Sequence, residues 1–386
     1  MLGLAAGKGG DATRRAHAAE ARHGIAMHGE PALPEGFARL PYADPAAPKG
    51  GRLVQGVLGT FDSLNPFIVR GIAPQSIRGY VVESLMARGY DEPFTLYGLI
   101  ARAVETDAQR SYVTFHLDPA ARFSDGTPVT VDDVIFSWQL LRDKGRPNHR
   151  TYYAKVATAE AVGERAVRFD LSGSEDRELP LILGLMPVLA RHAVDPERFE
   201  ETSFRAPLGS GPYVVADVDP GKSVTLKRNP AYWGRDLAIN RGLWNFDEIR
   251  FDYYREANSH LEAFKRGLYD VRNEHDPGRW QTAYDFSAVR DGRVIKEALP
   301  TGVPKTSTFF VFNTRRAIFS DIRVREAISL LFDFEWINHS YFFDLYRRTA
   351  SYFADSELSS HGRPADRRER ALLAPFPDAV RADVLE

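Results

Sequence analysis

The sequence contains no cysteine, and this absence excludes several kinds of chemistry. None of the 386 residues carries a thiol, so the chain cannot form disulfides, thiolate metal sites or a cysteine nucleophile. The lack of an N-terminal cysteine also argues against a lipoprotein anchor. It does not assign a cellular compartment, because many exported proteins lack cysteine as well.

Long apolar runs are also missing. No window reaches the roughly 18 apolar residues that a membrane-spanning helix needs. The first residues lack the apolar run of about 7–15 residues that an export signal requires. Ala16-His17-Ala18 nevertheless has the small-x-small form of a signal-peptidase site. The first 29 residues are polar, and we expect them to be disordered or a remnant of a longer leader.

Neither sign of charge dominates. The formal net charge is −2, which gives no reason to expect nucleic acid or an anionic membrane surface as a partner. Hydrophobic residues make up 44% and charged residues 26%, as in ordinary soluble proteins. At this length the chain should form two or three domains.

Convincing catalytic motifs are absent. Gly3–Gly9 is one residue short of a phosphate-binding loop and has no hydroxyl residue after its lysine. Gly209-Ser210-Gly211 lacks the flanking glycines of a nucleophile elbow, so a tight turn is the better interpretation. His23 and His28 have no zinc-hydrolase spacing. We therefore expect that the protein is not an enzyme and that it binds neither a metal ion nor a cofactor.

A hairpin is the clearest feature that is present. Pro207-Leu-Gly-Ser-Gly-Pro-Tyr213 leads into two alternating strands, and Lys227-Arg-Asn-Pro-Ala-Tyr-Trp-Gly234 closes them. Asp219-Pro220-Gly221-Lys222 between the strands suits a type II turn, because proline presets φ and glycine accepts a positive φ.

Other segments predict a mixture of strands and helices. Thr130 and Asp133 resemble a capping box, which explains the Asp132-Asp133 pair better than catalysis does. Apolar residues then follow at Val134, Trp138 and Leu141. We also predict strands at 51–58, 113–117 and 309–313, and a hairpin at 155–171. Helices are predicted from Ser259 to Gly267 and from Asp321 to about Trp336.

The order of these segments resembles the family 5 extracellular solute-binding proteins, which deliver peptides, nickel or sugars to ABC importers. Besides the hairpin, Gly59-Thr-Phe-Asp-Ser-Leu-Asn-Pro-Phe67 and Arg122–Val134 carry the resemblance. Gly24–Pro31 and Asp276–Trp280 are most similar to the oligopeptide and microcin C branch. The resemblance covers about residues 22–354.

The resemblance implies a mixed α/β, two-lobed periplasmic-binding-protein-like fold with mixed sheets and an incomplete second lobe. On this basis, residues 30–80 and 205–250 would form the first-lobe core, 81–204 an inserted subdomain, 251–354 a partial second lobe, and 355–386 an irregular tail. Family members continue further and return to the first lobe, so we expect a C-terminally truncated member.

The resemblance also implies a ligand cleft between lobes, fed by strand ends and the loops that follow them. The candidate ligand-binding residues are Phe61, Asp62, Asn65, Asn273, Glu274, Asp276, Trp280, Asn313 and Tyr352. Asp62 could meet a ligand ammonium group and Phe61 could stack on the ligand. Alternatively, Asp62 and Asn65 only cap a turn, and Trp280 packs in a core.

We therefore predict a monomeric, periplasmic binding component that captures oligopeptides or peptide-like compounds and passes them to inner-membrane permease subunits. A lost export signal is favoured over a cytoplasmic protein because of the resemblance. The alternatives are a non-binding remnant or interaction protein and, with less support, a peptide or sugar hydrolase.

Overall fold

The structure is a computed structural model that describes residues 20–92, 94–173, 176–299, 306–354, 356 and 359–377. The chain divides into two compact units, Met1–Val271 (unit 1) and Arg272–Glu386 (unit 2). The predicted assignment of segments to lobes stays a prediction.

Unit 1 combines eleven strands with five helices in its described residues. The strands are β1 Gly24–Ala26, β2 Arg52–Leu58, β3 Met86–Arg88, β4 Thr95–Gly98, β5 Ala101–Thr106, β6 Tyr112–Leu117, β7 Val156–Ala161, β8 Ala166–Leu171, β9 Tyr213–Asp219, β10 Ser223–Arg228 and β11 Glu248–Tyr254. The helices are α1 Ile77–Tyr80, α2 Val131–Lys144, α3 Pro147–Tyr153, α4 Leu179–Gly184 and α5 Ala257–Lys265.

The strands form three sheets in the orders β1-β4-β3, β2-β11-β10-β9 and β5-β6-β8-β7. Only the second sheet is mixed, because β2 pairs with β11 in parallel whereas the other neighbours are antiparallel. Gly56 lies in this parallel pair, and a Cβ there would come within 2.6 Å of the His260 and Tyr269 side chains. The mixed α/β prediction is confirmed.

Several local predictions are confirmed. Gly221 has φ +72°, and the Lys222 N–H donates to the Asp219 carbonyl at 2.9 Å, which closes the β9–β10 turn. Thr130 and Asp133 form a capping box at the start of α2. The apolar face of α2, including Val134, Trp138 and Leu141, is buried in the main core of unit 1.

Unit 2 differs more from the sequence predictions. Its helices are α6 Pro277–Thr282, α7 Ser287–Arg290, α8 Ala317–Ser320, α9 Ile322–Leu330, α10 Phe334–Phe342 and α11 Arg367–Leu373. The strand predicted at 309–313 is wrong: no described strand pairs with this segment, and Val311 is 89% exposed. The helix predicted from Asp321 to about Trp336 does begin at Asp321, which caps α9, but its continuation to Trp336 is wrong. Helix α9 ends at Leu330, and the Asp333 carboxylate accepts the Trp336 N–H and begins a second helix.

Three smaller differences concern segment ends. Residues 24–26 form β1 against β4, although we expected disorder through residue 29. Helix α5 begins at Ala257, so Ser259 lies inside it and does not cap it. Helix α11 lies in the tail predicted to be irregular and starts with a capping box from Asp366 and Glu369.

A buried carboxyl group joins distant segments of unit 1. Glu83, which is 3% exposed, accepts hydrogen bonds from the Tyr232 hydroxyl and from the Trp233 indole N–H at 3.2 Å. The same indole N–H donates to the Ser210 carbonyl at 3.1 Å. The Asn240 amide donates to the Tyr232 hydroxyl at 2.7 Å. We call these side chains the Glu83 network.

The Glu83 network fixes two of the segments that carry the family resemblance. Tyr232 and Trp233 belong to the segment Lys227–Gly234, and the Ser210 carbonyl belongs to the segment Pro207–Tyr213. Burial raises the pKa of Glu83 from its ordinary 4.5 to about 7, and the hydrogen bonds, led by that from Tyr232, offset this only in part.

We expect Glu83 to make the stability of the chain depend on pH. Between pH 4.5 and 7 the folded chain retains a proton on Glu83 that the unfolded chain releases, so this contribution is lost as pH rises. The free energy of unfolding of the wild type minus that of Glu83→Gln should therefore fall by roughly 3 kcal/mol over this range. Urea unfolding followed by tryptophan fluorescence measures it.

The informative quantity is the difference in the free energy of unfolding between the wild type and Glu83→Gln. His149 is buried near Arg78 and Arg146, and its pKa is lowered to about 4, which gives a pH dependence of the opposite sign. That contribution is common to both proteins and cancels. A wild-type-minus-variant difference that stays constant from pH 4.5 to 7 would contradict the assignment.

Candidate functional site

The loop after β2 contains three predicted ligand-binding residues, and each has a structural partner. Phe61 is 2% exposed, and its ring packs against those of Tyr253 and Phe204 at 4.8 and 6.0 Å between centroids. Asp62 is exposed, and its Oδ1 accepts the Ile72 N–H at 2.6 Å. The turn-capping interpretation therefore accounts for one oxygen of Asp62.

Asn65 connects this loop to a distant segment. Its Nδ2 donates to the Phe199 carbonyl at 3.0 Å, and its Oδ1 accepts the Phe67 N–H at 3.0 Å. Asn65 is half-buried and borders a cavity, whereas Phe61 and Asp62 do not line that cavity. Among the three residues, Asn65 has the geometry closest to a ligand site.

This cavity has a volume of about 230 Å³ and lies between two resemblance-bearing segments of unit 1. The loop after β2 provides residues 64–67, and the segment before β9 provides Ser203 and residues 205–208. The remaining wall consists of Val82, Leu189, Ala193, Val194, Asp195, Arg198, Phe199 and Glu201. We call it the loop cavity.

The loop cavity combines an apolar floor with a charged rim. Leu64, Phe67 and Leu189 are buried in the core beneath it, and Arg198 pairs with Glu201 at 3.0 Å on the rim. Residues 189–206 carry no sequence motif that would predict a place at this cavity, because they become neighbours of the loop only through folding.

In unit 2, Glu274 is the most constrained of the predicted residues. Its side chain and that of Arg272 are both 5% exposed, and they form an ion pair at 2.9 Å. The Tyr284 hydroxyl donates to Glu274 Oε2 at 2.8 Å. Burial raises the pKa of Glu274, but the hydrogen bonds from Arg272 and Tyr284 outweigh it, so the pKa is lowered.

The neighbouring predicted residues lie around helix α6. Asn273 is exposed, and the Asp276 carboxylate caps α6 by accepting the Arg279 N–H at 2.8 Å. The Trp280 ring lies 6.1 Å from that of Tyr284, and the Lys296 ammonium lies 4.3 Å from the centre of the Trp280 ring. This aromatic pair therefore already holds a cation from the same chain.

Asn313 and Tyr352 lie in irregular segments of unit 2. The Asn313 side-chain oxygen accepts the Arg315 N–H at 3.2 Å. Tyr352 is 82% exposed, and its ring lies 5.7 Å from that of Phe309. The ligand-binding roles of all nine predicted residues stay predictions.

Within the described ranges, no three histidine or acidic side chains come together in a way that could hold a metal ion. No described helix has both the length and the apolar character to cross a bilayer.

Comparison with known proteins supports the resemblance. The sequence model described as bacterial extracellular solute-binding proteins, family 5 middle, matches residues 95–376. A putative binding protein of Brucella melitensis is 50% identical, covering 94% of this chain and 61% of its own length. The peptidoglycan-binding protein YepA of Agrobacterium fabrum is 43% identical, with coverages of 95% and 62%. The chain thus spans about three fifths of the length of these relatives.

A solved structure shows the fold. The oligopeptide-binding protein AppA of Bacillus subtilis, in complex with a nonapeptide, superposes with a TM-score of 0.59 at 20% identity. The match covers 85% of this chain and 64% of AppA. It confirms the predicted periplasmic-binding-protein-like fold.

We expect Phe61 to contribute to stability as a core residue. Phe61→Ala should lower the free energy of unfolding by about 3–5 kcal/mol, because a buried aromatic ring is removed. Phe204→Ala is the matched control: Phe204 contacts Phe61 but is 40% exposed, so its loss should be clearly smaller. Urea unfolding of both variants provides the comparison, and equal losses would contradict the burial of Phe61.

Proposed function

The chain belongs to the family 5 bacterial extracellular solute-binding proteins, and from this premise we propose that it captures oligopeptides or peptide-like compounds. The names of the peptidoglycan-binding relative and of the nonapeptide complex support a peptide-type ligand. The 43% identity to the peptidoglycan-binding protein YepA favours a ligand that comes from peptidoglycan.

The observation that carries the proposal is the loop cavity. Two resemblance-bearing segments, far apart in sequence, meet around one cavity with an apolar floor and a polar rim. Ligand sites in binding proteins have this composition: apolar walls provide most of the contact, and a few polar groups fix the orientation. In this proposal Asn65 and the rim orient the peptide backbone.

In unit 1, Asp62 is a further proposed ligand contact: its exposed carboxylate pairs with the ligand ammonium group. The candidate residues of unit 2 are proposed separately. There Glu274 and Asp276 position the helix that carries Trp280, and Asn273, Trp280, Asn313 and Tyr352 are the proposed polar and aromatic contacts. The protein binds and releases without covalent chemistry, shifts between open and closed states, and delivers its ligand in the periplasm to ABC permease subunits as a monomer.

We expect a mixture of short peptides to stabilise the chain. At a concentration of 100 times Kd, a ligand that binds only the folded state contributes about 2.7 kcal/mol, and the melting temperature rises accordingly. Differential scanning fluorimetry with peptides, and with the free amino acids as a control, measures this. A melting temperature unaffected by any peptide would favour a non-binding remnant, and hydrolysis of the added peptide would favour a hydrolase.

The role of Asp62 can be tested by a double-mutant cycle on protein and ligand. Asp62→Asn keeps the oxygen that accepts the Ile72 N–H but removes the charge. It should weaken binding of a free-amine peptide about tenfold, and it should leave the affinity for the N-acetylated peptide unchanged. Asp118→Asn is the matched control, since its Oδ1 also accepts a backbone N–H, from Ala120 at 2.8 Å. Equal weakening for both peptides in titration calorimetry would remove Asp62 from the site.

A further inference from the structure

A second cavity of unit 1, of about 260 Å³, is surrounded by cationic side chains. Lys49, Arg228, Arg235 and Arg241 line it, together with the aromatic residues Tyr232 and Trp244. Asp236 is the one carboxylate among the lining residues. We call this the basic cavity; its lining residues include none that line the loop cavity and none of the predicted ligand-binding residues.

The four cations are only partly neutralised by the protein. Arg228 forms an ion pair with Asp247. Arg241 donates to two backbone carbonyls, those of Ala38 and Asp236, at 3.0 and 3.1 Å. These carbonyl contacts orient the guanidinium group but leave its charge in place.

Lys49 and Arg235 add further uncompensated charge. The Lys49 ammonium donates to the Leu243 carbonyl and to the Asn245 side-chain oxygen, both neutral groups, at 2.5 Å. Arg235 is exposed and forms no ion pair or hydrogen bond within the described part of the chain. Its five N–H donors are therefore available to a ligand.

The like charges in this cavity destabilise one another. Partial burial and the proximity of Arg228 lower the pKa of Lys49. An anion placed between the two side chains would reverse this repulsion, because each cation would then face an opposite charge. The cavity therefore has the electrostatics of an anion site.

The Glu83 network holds the cavity in shape. Tyr232 lines the cavity while its hydroxyl is bound to Glu83 and Asn240. Asn240 in turn accepts the Trp244 indole N–H at 3.0 Å. The segment carrying Arg235 and Arg241 is thus fixed before any ligand arrives, which reduces the ordering cost of binding.

We propose that the basic cavity binds a phosphate group, either inorganic phosphate or a small phosphomonoester. Arginine side chains present paired N–H donors that match phosphate oxygens, and lysine adds a point charge. The volume exceeds that of a single oxyanion, so a small esterified phosphate also fits. This site is independent of the proposed peptide site.

Titration calorimetry with potassium phosphate and with glycerol 3-phosphate tests the proposal, against potassium chloride at equal ionic strength. Saturable binding of either compound to the wild type is expected, and Arg235→Gln should weaken it about tenfold. Arg235 has no partner to lose, so the variant should fold normally, which circular dichroism checks. Tighter binding of glycerol 3-phosphate would identify an ester as the ligand, and equal or weaker binding would identify the free anion.

Arg165→Gln is the matched control, because Arg165 is an exposed arginine in the β7–β8 turn that does not line the basic cavity. Its affinity for both compounds should equal that of the wild type. The proposal is overturned if neither compound binds above the chloride control. It is also overturned if Arg235→Gln binds as tightly as Arg165→Gln.

Discussion

The buried carboxyl group of Glu83 is the constraint on which much of unit 1 depends. A carboxyl group removed from water is costly unless its oxygens are hydrogen-bonded, and Tyr232 and Trp233 satisfy both oxygens. These partners are about 150 residues away in sequence. The hydrogen-bonding requirement of one buried group therefore brings together the segment before β3, the entry to β9 and the segment after β10. The basic cavity shares Tyr232 with this network, and the loop cavity includes Leu208 from the entry to β9.

The sequence predicted the features whose causes are local. The capping box of Thr130 and Asp133 and the turn at Gly221 each depend on residues within four positions of one another, and both are present. The apolar run Phe309–Phe312 was misassigned because a strand needs a partner, and periodicity does not identify one. Likewise, the helical pattern after Asp321 did not reveal that Asp333 would cap a second helix. The burial of Phe61 depends on Tyr253 and Phe204, about 140 or more residues away.

The two units differ in how much apolar surface they bury. Unit 1 contains a large continuous core, whereas Tyr284, Ala288 and Asn338 are the only described residues of unit 2 that are buried as whole residues. Apolar burial is the main source of folding free energy, so unit 1 carries most of the stability. The rigid positions of Asn65 and of the basic cavity follow from their location in unit 1. The candidate residues of unit 2 rely instead on polar contacts, chiefly the ion pair of Arg272 and Glu274.

Hydrogen exchange measured by NMR tests most directly whether Glu83 holds these segments together. The account predicts slow exchange of the Trp233 indole N–H and of the backbone N–H groups of Gly211 and Asn229, which donate to Val81 and Pro212. In Glu83→Ala these three should exchange much faster, while the amides of β6 should keep their protection. Unchanged exchange at the three sites, or equal acceleration throughout unit 1, would contradict the central role of this carboxyl group.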